Sequence, residues 1–313
     1  MKILFVDSVH PILEERLSAS NCVLNFDYQS PKKEIETKIN QYQGLVIRSR
    51  FPIDKQFLDL ATNLKFIARS GAGLENIDVA YAEQKGIPVF NSPEGNMNAV
   101  GEQAIGMLLM LFNQLKKGDT EVRNGIWDRE GNRGVEIAEK TIGIIGYGNM
   151  GKAFAKKLSG FDCKVIAYDK YKTDFTNNFV QEVDLQTLQQ ESNVISIHLP
   201  LTEETKYYIN DSFIATCKKP FYIINTARGN HVQTSALVNG LKSKKVLGAC
   251  LDVLEYETKS FETINSNELP EDFKYLCSSS NVILSPHVAG WTKESYIKLS
   301  SFLADKIENT YFK

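Results

Sequence analysis

Residues 141–160 read TIGIIGYGNMGKAFAKKLSG: an apolar run, then Gly146, Gly148 and Gly151 in G-x-G-x-x-G spacing, then a segment with helical periodicity. A run this apolar suits a strand buried on both faces, as in a parallel sheet. The first glycine permits a tight turn, the second lets the backbone approach a pyrophosphate, and the third lets helix and strand pack closely. Backbone N–H groups at the start of the helix then face the negative charge. Glycine turns also occur where nothing binds, so the surroundings decide. The next apolar run, KVIAYD, ends at Asp169, 18 residues beyond Gly151. A carboxylate at that strand end accepts from the ribose hydroxyls and repels a 2′-phosphate, which predicts NAD rather than NADP as the cofactor. Lys170 and Lys172 stand beside it as the opposing signal.

Outward from this turn, strand-like runs alternate with amphipathic ones. Before it come KILFV, PILEERLSA, CVLNF, KKEIETKINQY, GLVIRS, IDKQFLDLA and LKFIARS; after it come NVISIHLP, FYIINTARG, SALVNGLKSKK, VLGACLDVL and NVILSPHVAG. The rhythm predicts an α/β protein of two doubly wound parallel-sheet domains. With 313 residues and 42% hydrophobic content the chain can build two cores. A helical pattern from Ala99 to Lys117, with Asn96 and Asn98 as candidate caps, marks the crossover between them. The glycine-rich, charged stretch 118–140 around Trp127 reads as a loop or as an arm that packs on another subunit.

Lys and Arg number 36 against 38 acids, without blocks of one sign, which argues against nucleic acid or an anionic membrane and for a small-molecule partner. Five scattered cysteines with no C-x-x-C pair suit a reducing compartment and no metal. The opening MKILFVDSVHP reads as a first strand rather than a signal peptide. The richest apolar stretch, Ile105–Phe112, is shorter than the roughly 20 residues that span a bilayer. A cytoplasmic protein is therefore expected.

Three polar residues follow strand-like runs, where an open α/β sheet puts its chemistry. Arg228 follows FYIINTA, Glu257 lies beyond GACLDVL, and His287 follows NVILS. Arginine offers a bidentate fork for a carboxylate, and histidine can give and take one proton near neutral pH. A carboxylate beside an imidazole holds its tautomer and favours the charged form. Each residue alone could be a surface charge or a strand-end cap; together, after a dinucleotide turn, they suit dehydrogenation of a 2-hydroxy acid.

On these residues the sequence resembles the D-isomer-specific 2-hydroxyacid dehydrogenases. The matching pieces are RSGAGLENID, GIPVFNSPEGNMNAVGE, NGIWDREGNRG, GYGNMGKAFA, ISIHLPLTEET, INTARGN, LDVLEYE and SPHVAGWT, spread over nearly the whole chain. The resemblance implies a catalytic set of Arg228, Glu257 and His287. It implies cofactor contacts at Asn149, Met150, Asp169, His198, Pro200, Thr205, Thr226, Ala227, Asp252 and Gly290, joined by Arg228 and His287. It also implies a flavodoxin-like substrate domain of residues 1–97 completed by 291–313, a Rossmann domain of residues 98–290, an active site in the cleft between them, and a homodimer. Members often have proline after the glutamate, whereas here Thr258 follows and an extended loop begins. That departure leaves Glu255 as the fallback if the register slips. The same architecture serves corepressors that sense NADH, so a binding protein is the alternative from another class.

For the substrate, IRSR places Arg48 and Arg50 at i, i+2 spacing, which on a strand points both to one face. Two cations suit an acid that also carries phosphate, and the stretch is similar to that of 3-phosphoglycerate dehydrogenases. Ser70, Gly71, Ala72 and Gly73 read as a backbone nest for the carboxylate or as only a tight turn, with Asn96 as a further donor and Arg228 as the cation that anchors the acid. The expected substrate is 3-phospho-D-glycerate, with hydroxypyruvate or glyoxylate reduction as the alternative. The 26 residues after His287 leave no space for the regulatory domain of serine-sensitive enzymes, so regulation through such a domain is not expected.

Overall fold

A computed structural model describes residues 1–257 and 269–312. The chain forms two compact units, Met1–Met97 with Gly290–Lys313, and Asn98–Ala289. The first holds β1 (Lys2–Phe5), β2 (Val23–Phe26), β3 (Gly44–Ile47), β4 (Phe66–Arg69) and β5 (Val89–Phe90) in the order β2-β1-β3-β4-β5, all parallel. Alternation along β1, β3 and β4 divides their apolar side chains between two cores. Leu4, Leu45, Ile47 and Ile67 face one cluster, and Ile3, Phe5, Val46 and Phe66 face the other. The closing helix, Lys293–Tyr311, starts at the Thr292 cap and puts Leu303, Ala304 and Ile307 into the second of these clusters.

The second unit holds β6 (Thr141–Ile145), β7 (Lys164–Tyr168), β8 (Gln181–Glu182), β9 (Val194–Ile197), β10 (Phe221–Asn225), β11 (Val246–Leu251) and β12 (Val282–Leu284). Their order is β12-β11-β10-β9-β6-β7-β8, again parallel throughout. Ile145, Ile195, Ile197 and Ile223 pack on one face, and Ile142, Ile144, Val194 and Ile224 on the other. The strand order reverses between β6 and β9, and a sheet of this kind binds ligands at such a switch point, beyond the carboxyl ends of its strands.

Four expectations need correction. The helical pattern from Ala99 to Lys117 is two helices, Met97–Phe112 and Leu115–Arg123, because Gln114 takes a left-handed backbone, φ 48°, that an α-helix cannot contain. Neither asparagine caps the first helix: Asn98 lies within it and donates to Glu102, while the Asn96 Oδ1 has no partner among the described residues. The run GLVIRS stops being a strand at Ile47, so Arg48 and Arg50 are outside β3 and the alternation argument does not govern their side chains. Thr258 and the expected loop as far as residue 268 lie outside the described residues, but its later part is no loop: Glu271–Ser278 is a helix that buries Phe273 and Leu276.

Candidate active site

The residues singled out in the second unit stand at the carboxyl ends of adjacent strands: His287 after β12, Asp252 and Glu257 after β11, Arg228 after β10, His198 after β9, Gly146 after β6 and Asp169 after β7. Gly146 turns with φ +92°, and a Cβ there would lie 2.5 Å from the His198 carbonyl oxygen. A Cβ on Gly151 would lie 2.1 Å from the Gly146 oxygen, so the helix Asn149–Leu158 closes on the turn only because that atom is missing. Gly148 differs: among the described residues a Cβ there would meet nothing nearer than the Lys172 Nζ at 3.9 Å. The space beside Gly148, at the start of that helix, suits a phosphate group.

Asp169 Oδ2 accepts from the Tyr147 N–H at 2.8 Å, and Oδ1 accepts from Tyr171 and Lys172 N–H at 3.0 and 3.1 Å. The carboxylate is thus fixed at the end of β7, with about one of its four acceptor directions still open for a ribose hydroxyl. The two neighbouring lysines have different surroundings. Lys170 pairs with Glu204, while Lys172 reaches back to the Tyr147 carbonyl at 3.5 Å.

His198 is buried, its Nε2 2.8 Å from Ser196 Oγ and its ring against Phe154, and burial pushes its pKa down to about 3. It is neutral at any physiological pH. What it presents toward the glycine turn is its carbonyl. Thr205 Oγ1 donates to Pro200 O at 2.7 Å, shaping the loop after β9. Thr226 is buried, and its Oγ1 has no partner among the described residues. An orphaned hydroxyl at the end of β10, on the same edge of the sheet as the glycine turn but two strands from it, together with the open space at Gly148, fits a polar dinucleotide.

At β10 the Asn225 side chain clamps the turn that follows: its Oδ1 accepts from Ala227 N–H at 3.1 Å and its Nδ2 donates to Arg228 O at 2.8 Å. Arg228 Nη1 donates to Ala227 O at 2.6 Å. Gly229 packs against the next strand's loop so closely that a Cβ would fall 2.0 Å from the Leu254 carbonyl carbon. That approach joins the Arg228 turn to the segment carrying Glu257.

His287 Nδ1 lies 2.6 Å from Glu257 Oε2, and the other oxygen of Glu257 accepts from Leu254 N–H at 2.5 Å. Glu255 is used elsewhere, accepting from both N–H and Oγ1 of Thr234 at 2.7 and 2.6 Å, so the register in which Glu257 meets the histidine is the one observed. His287 has a left-handed backbone, φ 53°, a conformation that costs about 1–3 kcal/mol and clusters at functional sites. Asp252 holds it there. Its Oδ1 accepts from Ser285 Oγ and Val288 N–H, its Oδ2 from Ala289 N–H, and its carbonyl from His287 N–H at 2.8 Å. Asp252 therefore shapes the histidine turn, in addition to the cofactor contact expected of it.

In the first unit, one oxygen of Asp7 accepts from the N–H groups of Arg48, Ser49 and Arg50, at 2.6, 3.1 and 3.2 Å. The Arg50 guanidinium donates to the carbonyls of Val6, Asp27 and Ser30, between 2.6 and 2.9 Å, which ties together the ends of β1 and β2. The Arg48 guanidinium lies over the Trp291 ring, 4.7 Å from its centroid. Gly71 has φ +155°, and the Arg69 guanidinium fills the place its Cβ would take. Ser70 N–H is already bound to Ile47 O at 2.9 Å, and Asn91 donates to Ala72 O at 2.6 Å, just before Gly73. Asn96 Oδ1 and Ser92 Oγ are buried orphans among the described residues. Gly290, φ +89°, begins the return segment of this unit.

The sequence reading missed Asp7, Gly229 and His231. His231 is fully buried, with Nδ1 3.2 Å from Arg228 N and Nε2 3.2 Å from Pro200 O. A histidine three residues after the candidate arginine was the available signal; nothing in the sequence marked the other two.

A family model described as D-isomer specific 2-hydroxyacid dehydrogenase, NAD binding domain, matches residues 105–289. The hydroxypyruvate reductase of Thermotoga maritima is 38% identical over 276 residues, 88% of this chain and 87% of that protein. The D-3-phosphoglycerate dehydrogenase of Archaeoglobus fulgidus is 31% identical over 311 residues, 99% of this chain but 57% of that protein, so the chain spans little more than half of that relative's length. Among solved structures, D-2-hydroxyisocaproate dehydrogenase is similar at a TM-score of 0.84 and 26% identity, over 99% of this chain and 97% of that one.

Proposed function

This chain belongs to the D-isomer specific 2-hydroxyacid dehydrogenases, which are NAD-dependent, and within that family we propose that it interconverts D-glycerate and hydroxypyruvate. The observation that carries the chemistry is the 2.6 Å contact of His287 Nδ1 with Glu257. NAD, when bound, accepts or supplies the hydride at C2 of the acid. In reduction His287 gives the carbonyl oxygen a proton, and in oxidation it takes one back. Glu257 holds the ring through Nδ1, which makes Nε2 the nitrogen that meets substrate. Arg228 anchors the carboxylate. Gly146, Gly148, Asn149, Met150 and Gly151 cradle the pyrophosphate, Asp169 takes a ribose hydroxyl, and the Thr226 hydroxyl and the His198–Thr205 loop line the rest of the cofactor's path.

The unphosphorylated substrate is preferred because the Arg50 guanidinium is occupied by three carbonyls and the amides of residues 48–50 are occupied by Asp7. The phosphorylated pair, 3-phospho-D-glycerate and phosphohydroxypyruvate, is the second reading, with a role in serine biosynthesis. It is supported by Arg48, whose guanidinium lies on an aromatic ring instead of on carbonyls. The reading is completed by a cytoplasmic homodimer in which the arm around Trp127, 79% exposed, meets the partner copy.

The test is NADH oxidation with hydroxypyruvate, phosphohydroxypyruvate, glyoxylate and pyruvate, in the wild type, His287→Asn and Arg48→Ala. Asparagine tolerates the left-handed backbone at 287. Hydroxypyruvate is expected to lead phosphohydroxypyruvate in kcat/KM by at least about tenfold, and His287→Asn to lower kcat by about 10²–10⁴ with NADH still bound. A preference for phosphohydroxypyruvate that Arg48→Ala abolishes would establish the second reading instead.

A further inference from the structure

His231 bridges two strand-end loops through its ring. Arg228 N–H donates to Nδ1, which therefore carries no proton; the ring proton is on Nε2 and is donated to Pro200 O, both bonds being 3.2 Å. The two bonds specify one neutral tautomer in a side chain with no exposed surface. They also pin the Arg228 peptide from the amide side, while Asn225 pins it from the carbonyl side at 2.8 Å. Gly229, pressed on Leu254, blocks movement in a third direction. Arg228 is a long side chain with many rotamers, so the direction in which it leaves the backbone governs where its guanidinium can go.

We propose that His231 is a positioning residue for Arg228, setting the arginine's backbone in register with the Pro200 loop after β9, where cofactor contacts are expected. The proposal rests on the assignment of Arg228 to the substrate carboxylate made above. A merely structural histidine would satisfy two buried groups and nothing more. The loop pairing itself does not need the ring: Tyr207 N–H donates to Asn230 O at 2.7 Å and Ile209 N–H to His231 O at 2.9 Å. Removing the ring should therefore loosen the Arg228 amide while leaving the two segments paired.

The experiment uses the full chain with three single substitutions at residue 231 and one at residue 228, and reads kcat and KM for the fastest keto acid of the panel, NADH affinity by fluorescence, and Tm. His231→Leu keeps bulk and loses both bonds. His231→Asn puts an amide oxygen near the Nδ1 position and keeps the acceptor for Arg228 N–H. His231→Gln carries its amide N–H further, toward Pro200 O. The leucine variant is expected to lose about tenfold in kcat/KM, with NADH affinity changed less than about threefold. Asparagine should restore most of that loss and glutamine little of it. If all three match the wild type in kcat/KM, if asparagine and glutamine restore it equally, or if the loss follows Tm alone, the proposal is overturned. Should the leucine variant not fold, the asparagine–glutamine contrast decides by itself. Arg228→Lys separates the two readings: undiminished kcat/KM in that variant overturns the role of Arg228, whereas a large loss there with no effect at 231 overturns only the role of His231.

Discussion

The four histidines show how surroundings assign chemistry to one side chain. His10 starts a helix and accepts from Ile12 N–H at 3.2 Å; His287 meets a carboxylate at a left-handed turn; His231 braces two loops; His198 is sealed between Ser196 and Phe154. Burial moves the titration of His198 far, from 6.5 to about 3. Above pH 6.5 the ring is neutral in both folded and unfolded chains and contributes nothing to pH dependence. As pH falls from 6.5 toward 3, the unfolded chain takes up a proton that the folded one refuses, so folding stability drops by about 1.4 kcal/mol per pH unit within that window. His198→Gln lacks this proton. Between pH 6.5 and 5.5 its unfolding free energy in denaturant titrations should fall about 1 kcal/mol less than that of the wild type. Parallel curves would mean that the buried ring is not protected from protons.

At the scale of elements, the strand-end loops carry the site, and they are held together by contacts too close for a side chain. Gly229→Ala would place a Cβ 2.0 Å from a backbone carbon of Leu254, so either the Arg228 turn or the segment leading to Glu257 must move. A shift of about 1 Å at such a site costs about 10²-fold in rate, and kcat/KM should fall by at least that much. Gly106→Ala is the control: within the helix Met97–Phe112 a Cβ meets nothing among the described residues within 4 Å, and alanine there should add about 0.5–1 kcal/mol of stability with unchanged kinetics. If both variants behave alike, the close packing at Gly229 is not what positions the loops. Most strands, the glycine turn and the polar residues after β10, β11 and β12 were legible in the sequence, because parallel strands buried on both faces read as unbroken apolar runs, whereas the two-residue strands β5 and β8 leave no such run. What escaped it depends on distant partners. Arg50 is turned into a tie by carbonyls of residues 6, 27 and 30, and the amides after β3 are taken by Asp7, 41 to 43 positions away. The break at Gln114 was hidden because one left-handed residue barely disturbs an apolar pattern.

At the scale of the whole molecule, the chain builds two units, yet the first is assembled from both ends of the sequence. Each of the four apolar clusters draws its residues from one unit alone. Two separate pairs of cores predict two separate unfolding equilibria, and the cofactor distinguishes them, since the residues assigned to the pyrophosphate and ribose lie in the second unit. A ligand at 100 times its Kd stabilises the unit that binds it by about 2.7 kcal/mol, a factor of about 100 in the population of its open form. Native-state hydrogen exchange with and without saturating NADH reads that factor strand by strand. The slowest amides of β6, β9 and β10 should slow by about 100-fold, and those of β1, β3 and β4 by less than about threefold. Equal slowing in both sheets would show that the units unfold as one, with the helix Met97–Phe112 and the return at Gly290 transmitting stability from one core to the other. Slowing confined to the first sheet would place the cofactor in the wrong unit and overturn its assignment to the glycine turn.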